Sequence, residues 1–467
     1  MPSLSRFAPP LLAALLLSAC TTLDTRVSRE SVQQAVSART GQPVALATPE
    51  PVRAGPYNLP TADDAVRLAL TRSPAVAATL AELDAAEVQA VQAGLLKNPF
   101  FHASLLYPHD SHGKAIDLGL SWDVLGLLTL GPRREAADRG RQAARLKAVA
   151  GLLELAAQSR AAWFAHLAER EGADWLADQA EATDLGAEIA QRLEQAGNLP
   201  PLAAASAQAV RLETRDALDA ARLAAQASRD RLARLLGVAA PEQLQLPERL
   251  PRLPDKDPAT PDAAALEATD LGLATLAATL AAELEQVRQR GEAVGRMAWT
   301  DGVELGWSWE RETSGEWKDG PSLGVALPLF DTGEARRAGL RFEAARLEAR
   351  MAERGLALAR EARDAAGRMQ RARARVENLR EKLLPLLSDA QDQALLQYNA
   401  MQKSPFHLLD LKQRELAALR QLVAGLGDYW QARTSLEALN MGVSLESGDT
   451  ARAAAPVAAP QTSSGGH

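Results

Sequence analysis

The sequence predicts a mainly α-helical protein with a small membrane β part, built from one strand–strand–long helix–helix unit used twice. Three observations predict this. Long tracts rich in Ala, Leu, Arg and Glu carry apolar residues at steps of three and four, the helical period. Four short segments alternate apolar and polar residues instead, the period of a strand with two unlike faces. The order of these elements recurs at an offset of roughly two hundred residues, as a duplicated unit would.

The chain has 467 residues, a net charge of −7 and only 4% aromatics. Ala and Leu carry the apolar content, which suits helices packed side by side. The negative balance argues against nucleic-acid binding. A single cysteine excludes an internal disulfide. It stands at Cys20, after Arg6, an apolar run from Leu11 to Leu17 and the small residues of "LSAC". A positive start, a short apolar core and small residues at the end read as a secretory signal over residues 1–19, too short to span a bilayer as a helix. "Leu-Ser-Ala-Cys" resembles the lipobox of bacterial lipoproteins, which implies cleavage before Cys20 and lipid on its sulfur. Thr21 follows, where an Asp would imply retention at the inner membrane, so the resemblance implies an outer-membrane destination. Residues 20–58 are then a lipidated N-terminal extension.

The first repeat is read over 59–250, with strands at about 100–107 and 115–123 and helices at about 131–195 and 199–236. A helix of about 65 residues is roughly 100 Å long at ~1.5 Å per residue, too long for a compact domain. Leu146, Val149, Leu153, Ala156, Trp163 and Leu167 follow coiled-coil steps, broken by Arg160. A Pro-rich linker, 251–261, leads to the second repeat over 262–445. Its strands are expected at about 302–311 and 321–330, and its helices at about 332–401 and 405–440. Leu416, Leu419, Val423, Leu426 and Trp430 give the last helix its apolar stripe, and Pro385 is expected to kink or break the helix that holds it. Gly131 corresponds to Gly333, Pro201 to Pro405 and Leu212 to Leu416. The tail, 446–467, is Ala, Pro, Ser and Gly and is expected to be disordered.

In the strands, Phe101, Ala103, Leu105 and Tyr107 share a side, as do Ile116, Leu118, Leu120 and Trp122. "GVELGWSWERE" sets Val303, Leu305, Trp307 and Trp309 against Glu304, Gly306, Ser308 and Glu310, and "SLGVALPLF" sets Leu323, Val325, Leu327 and Leu329 against smaller residues. Strands of about 8–11 residues cross a bilayer when tilted in a barrel, and Trp gathers where membrane meets water. Val303, Leu305, Trp307 and Trp309 are therefore expected to face lipid, and Glu304, Glu310 and Asp117 a water-filled lumen. A small sheet packed on helices has the same periodicity. In lipid, however, open strand edges are not tolerated, and about eight strands make the smallest barrel. Several chains must then share one barrel; three would supply twelve strands.

"GPSLGVALPLFDTGEARRAG", Gly320 to Gly339, resembles the strand-to-helix junction of the TolC-type outer-membrane efflux family, with Pro328, Leu329, Phe330, Gly333 and the Arg pair. "NPFF" at Asn98 resembles that family's entry to its first strand. The resemblance covers about Leu59 to Gly442. It implies a homotrimer whose twelve-stranded β-barrel, set in outer-membrane lipid, continues into an α-helical coiled-coil barrel across the periplasm. It implies a passive exit duct of a tripartite efflux or type I secretion system, working with a periplasmic membrane-fusion adaptor and an inner-membrane pump of RND, ABC or MFS type. The adaptor would meet the helix turns at Gly197, Asn198 and Pro201 and at Gln402 and Pro405. The family closes its tunnel near the second turn with a Tyr, a basic residue and acids; the matching positions are Tyr398, Lys403, His407 and Asp410. Lys403 replaces the usual Arg, His407 stands where an acid is common, and Leu202 and Ala203 stand where the first turn can offer polar partners. A periplasmic coiled-coil adaptor or a structural lipoprotein is the alternative reading.

No phosphate loop, HExxH or nucleophile elbow occurs, so no enzyme activity, cofactor or metal centre is assigned. His102, His109 and His112 around the first hairpin are of a type that binds transition metals, and equally of the type found in solvated loops.

Overall fold

A computed structural model of the chain describes residues 25–41, 46, 55–107, 114–123, 126–257, 280–291, 303–325 and 334–445. Cys20 and its signal, His109, His112, the junction residues Pro328, Leu329, Phe330 and Gly333, and the tail lie outside the described residues. In chain order the elements are α1 (Arg26–Thr40), β1 (Tyr57–Asn58), α2 (Ala62–Arg72), α3 (Pro74–Ala93), β2 (Phe100–Leu106), β3 (Ala115–Asp123), α4 (Gly126–Gln195), α5 (Pro201–Leu236) and β4 (Leu244–Gln245). Then follow α6 (280–291), β5 (Val303–Arg311), β6 (Trp317–Val325), α7 (Glu334–Asn378), α8 (Leu384–Asn399) and α9 (Pro405–Asn440). The fold is mainly helical. Among the described residues no helix is long and apolar enough to cross a membrane.

The described chain divides into two compact units, one within Met1–Gln34, Leu80–Ala148 and Thr279–Met351, the other within Ala35–Thr79, Val149–Ala278 and Ala352–His467. The first holds a four-stranded antiparallel sheet in the order β2-β3-β5-β6. β6 begins at Trp317, four residues before the expected start, because Glu312 to Glu316 already close a tight turn with Gly315 at φ 91°. In the same unit, Leu284, Val287 and Leu347 pack α6 against α7. Glu87 of α3 is buried between Arg141 and Arg145 of α4, at 3.6 and 3.1 Å, and accepts a hydrogen bond from Ser28 of α1. A buried carboxylate is tolerable there because three donors surround it. The pattern reading does not anticipate α1. Its buried residues are only Ser28, Val32 and Val36, too few for a visible stripe.

The second unit is a set of antiparallel helices. α5 folds back on α4, with Leu218 against Leu176 and Ala180, and with Asp184 held by Arg211 and Arg215, both at 2.8 Å. α9 lies against α4: Trp430 stacks on Phe164 at 4.7 Å and Arg420 reaches Gln179 at 3.0 Å. On its other flank α9 sets Tyr429, Ala432 and Leu436 against Ala365, Met369 and Ala372 of α7. Small residues permit the approach. A Cβ on Gly427 would come within 2.9 Å of the Ala168 methyl, and one on Gly425 within 3.0 Å of Val376. Val149, Leu153, Ala156, Trp163 and Leu167 are buried as the heptad steps predict. Arg160, which breaks the series, answers Asp63 and, at 2.7 Å, Glu437.

Two features of the helical unit have local causes. At Pro385 the α-helix is interrupted, α7 and α8 being separated by a π turn. This turn, Leu379–Leu383, precedes the proline, so the Leu384 N–H reaches back to Leu379 and the wider turn absorbs the donor that proline lacks. The Pro-rich segment entering the linker is not free. Prolines leave carbonyls without a sheet or helix to bind, and side chains take them. Trp430 donates to Pro251 O at 3.0 Å, Arg373 to Pro254 O at 3.1 Å, and Tyr429 to the Asp257 carboxylate at 2.7 Å. Burial and that carboxylate push the Tyr429 phenol up to about 12.

The two helix turns, after α4 and after α8, close with the same pair of bonds. Asn198 N–H binds Leu193 O while Gly197 N–H binds Glu194 O, and Gln402 N–H binds Gln397 O while Met401 N–H binds Tyr398 O. This is the Schellman closure, which needs a left-handed residue. Gly197 supplies it at φ 74°, but the second turn uses Met401 at φ 56°. Met401 is 94% exposed and has no packing to lose. Met401→Gly should therefore raise stability by about 1 kcal/mol and Gly197→Met lower it by about as much. Urea titration followed by helical circular dichroism reads both, and no gain from Met401→Gly would contradict the strain.

A second expectation concerns His166 of α4, buried against Ser228 of α5 at 3.0 Å. Burial, with Arg170 and Arg229 nearby, lowers its pKa from 6.5 to about 4. The folded ring stays neutral while the unfolded one takes a proton below 6.5, so its contribution is full above that pH and lost toward 4. The urea midpoint should fall from pH 7 to pH 5, by at most about 1.4 kcal/mol per pH unit from this group. His166→Gln should flatten that fall; an unchanged slope would contradict it.

Candidate functional site

The sheet sorts most of its residues by face along its central ladders, exceptions being Arg311 opposite Ile116 and Asp319 opposite Trp309. Direct cross-strand partners share a face, and the register joins Phe101 to Leu120, Ala103 to Leu118 and Leu105 to Ile116. It continues Leu118 to Trp309, Leu120 to Trp307 and Trp122 to Leu305, then Leu305 to Leu323 and Val303 to Val325. Apart from Arg311 and Asp319, one face is thus aliphatic and aromatic over all four strands. It is not covered by the chain's own helices: Phe101, Leu105, Leu120, Trp122, Leu305, Trp307, Leu323 and Val325 are all exposed. A single chain leaves so large an apolar face open only where something else covers it. The indole N–H groups at this face find polar partners, Trp307 on Asp319 and Trp122 on the Lys97 carbonyl, each at 3.2 Å.

The opposite face is polar and acidic. Asp117 stands directly across from Glu310 and Asp123 across from Glu304. Like charges opposed on neighbouring strands repel, and water is the medium that makes such pairs tolerable. Ser121 donates to Glu304 at 2.8 Å, Lys97 pairs with Asp123 at 3.0 Å, and the His102 ring lies 4.0 Å from Asp117. Glycine and serine fill the middle of this face: Gly119 opposes Ser308, and Gly306 lies between Ser121 and Ser322. A Cβ on Gly306 would meet the Ser322 hydroxyl at 2.7 Å. Both outer strands, β2 and β6, have one unpaired edge within the described sheet.

The other sequence-predicted residues fall on the two helix turns of the second unit. Gly197, Asn198 and Gln402 are exposed at the turns, and Pro201 and Pro405 open α5 and α9 at their first positions. Ser404 caps α9 by accepting from the Phe406 N–H at 3.2 Å. Tyr398, Lys403, His407 and Asp410 are gathered around the second turn, all exposed. Asp410 is held by Arg414 one turn on, at 3.0 Å. Sequence reasoning missed Arg414, although the (i, i+4) acid–base spacing announces it. Across from this turn, Leu202 and Ala203 of the first turn are exposed and offer no side-chain polar atom. Among the described residues no group of His, Cys, Asp and Glu is arranged to hold a metal ion.

No family profile matches the chain. The cobalt-zinc-cadmium resistance protein CzcC of Cupriavidus metallidurans is 24% identical over 387 residues, 82% of this chain and 90% of that protein. The Campylobacter jejuni CmeC outer membrane channel superposes with a TM-score of 0.66 at 13% identity, covering 87% of this chain and 93% of that one. The outer membrane protein VceC of Vibrio cholerae does so with 0.63 at 16%, covering 82% and 96%. The chain therefore has the fold of these solved outer membrane proteins.

Proposed function

We propose that the chain is the outer-membrane channel of a tripartite efflux or secretion system, a passive exit duct across periplasm and outer membrane. One observation carries the reading: a four-stranded sheet with one largely apolar and one acidic face, its apolar side chains exposed and its two outer edges unpaired among the described residues. Lipid accepts such a face only if every strand edge is paired. Four strands cannot close, so three chains would join β2 of one to β6 of the next in a twelve-stranded barrel. Val303, Leu305, Trp307 and Trp309 then meet lipid, and Asp117, Glu304 and Glu310 line the lumen.

The helical unit supports the same assembly. Its flanking helices present large apolar residues outward, Leu202, Leu212 and Leu223 on α5 and Leu386, Leu395 and Leu396 on α8. In a ring these residues cover one another between chains. The recurring hairpin–long helix–helix order, with matching turn closures at Gly197 and Met401, supports a duplicated origin. Cys20 would carry the lipid anchor. The turns at Gly197–Pro201 and Gln402–Pro405 would meet a periplasmic adaptor, itself bound to an inner-membrane pump. Tyr398, Lys403, His407 and Asp410 would edge the periplasmic opening, with Arg414 restraining Asp410.

Purified in detergent, the chain should migrate as a trimer and open ion-conducting pores in planar bilayers. A monomer released by salt, or a trimer without conductance, would contradict the reading. Lys403→Ala and Asp410→Ala should each raise single-channel conductance. If neither changes it, the second turn does not gate.

A further inference from the structure

The first unit leaves two helix faces open as well as its two sheet edges. On α3, Ala81, Ala85, Val88 and Gln92 are all exposed. They follow steps of four, three and four, on the side turned away from the buried Leu83 and Glu87. On α7, Ala349, Ala345, Phe342 and the half-buried Ala338 give the same steps read backwards. They turn away from Leu347, which packs on α6. Each face leaves a large apolar side chain in the open, Val88 at 43% and Phe342 at 76% exposure.

Chain order names the occupant. α3 runs directly into the edge strand β2, and the edge strand β6 leads into α7. Joining β2 of one chain to β6 of the next therefore brings α3 of the first beside α7 of the second, antiparallel to it. The level of the two helices fixes the register. Within one chain they open on a common groove, α3 through Ala86, Gln89, Ala90 and Ala93 and α7 through Arg336, Gly339, Leu340 and Glu343. Rotation about an axis along the helices keeps that level, and the nearest match of the two faces sets Val88 on Phe342, Ala85 on Ala345 and Ala81 on Ala349. Charge agrees with this register. Glu82 follows Ala81 and Arg346 follows Ala345 by one residue, so they flank the two faces on the same, groove-facing side with opposite signs.

From this geometry we infer that the open face of α3 docks on the open face of α7 of the next copy. The antiparallel helix pair closes the helical part of the first unit as β2 and β6 close its sheet. This pairing rests on the three-chain closure proposed above and adds its helical contact and register. The test is disulfide formation in the full-length protein in detergent, with Ala85→Cys and Ala345→Cys placed on separately tagged, co-expressed chains. Under mild oxidation the two tags should become linked, because the pairing brings these Cβ atoms within bridging distance. Ala85→Cys with Ala338→Cys, about 10 Å off register, should give at least tenfold less, and either first variant expressed alone should give no linked chains. Migration of the same unoxidised samples reads the trimer separately. A trimer without the 85–345 bond, or with the 85–338 bond as abundant, would overturn the pairing and leave the three-chain reading standing; a monomer would overturn both.

Discussion

The constraint on which the rest depends is that a backbone in lipid must satisfy all its hydrogen bonds within the protein. The sheet of this chain meets that demand in its interior, where β3 and β5 are paired on both sides, and leaves it unmet at β2 and β6. Its apolar face excludes water as the permanent covering, and its acidic face excludes lipid. Closure with further copies, as proposed, would reconcile the two faces and the two edges, and that assembly is argued from the sheet and not from the helices.

The helical unit solves a different problem, holding long helices parallel with little side-chain volume between them. Glycine and alanine bring α9 against α4 and α7, and Trp163, Phe164, Tyr429 and Trp430 form one chain of ring contacts beside them. Some ion pairs join separate elements: Asp184 of α4 serves two arginines of α5, and Arg373 of α7 binds Asp257 at 2.6 Å. Through Pro251, Pro254 and Asp257, a segment whose composition reads as linker is tied to α7 and α9 as a strap.

Much of this was legible in the sequence because its signals are local. Alternation in "AIDLGLSWD" and "GVELGWSWERE" named both faces of the sheet, and the register matches apolar to apolar except at Arg311 and Asp319. The heptad steps in α4 named its buried stripe, and the break at Arg160 marked an ion pair that only the third dimension identifies. What stayed hidden depends on partners distant in sequence or on backbone geometry. α1 buries too few residues to show a period. At Pro385 a kink or break was legible, but the π turn that forms it was not, because a π turn leaves no mark in composition. The strap is written in Trp430, Arg373 and Tyr429, far from the prolines they hold. Around the second turn the candidate residues were found, but their arrangement was not: Asp410 turns to Arg414, within reach of simple (i, i+4) reading.

Spin labels at Leu305 and Glu304 in the bilayer-reconstituted protein test the central claim most directly. These neighbours on β5 point to opposite faces of one sheet. The account predicts that the label at 305 is reached by oxygen dissolved in lipid, and the label at 304 by a water-soluble nickel complex. Equal accessibility of the two sites to both quenchers would contradict it.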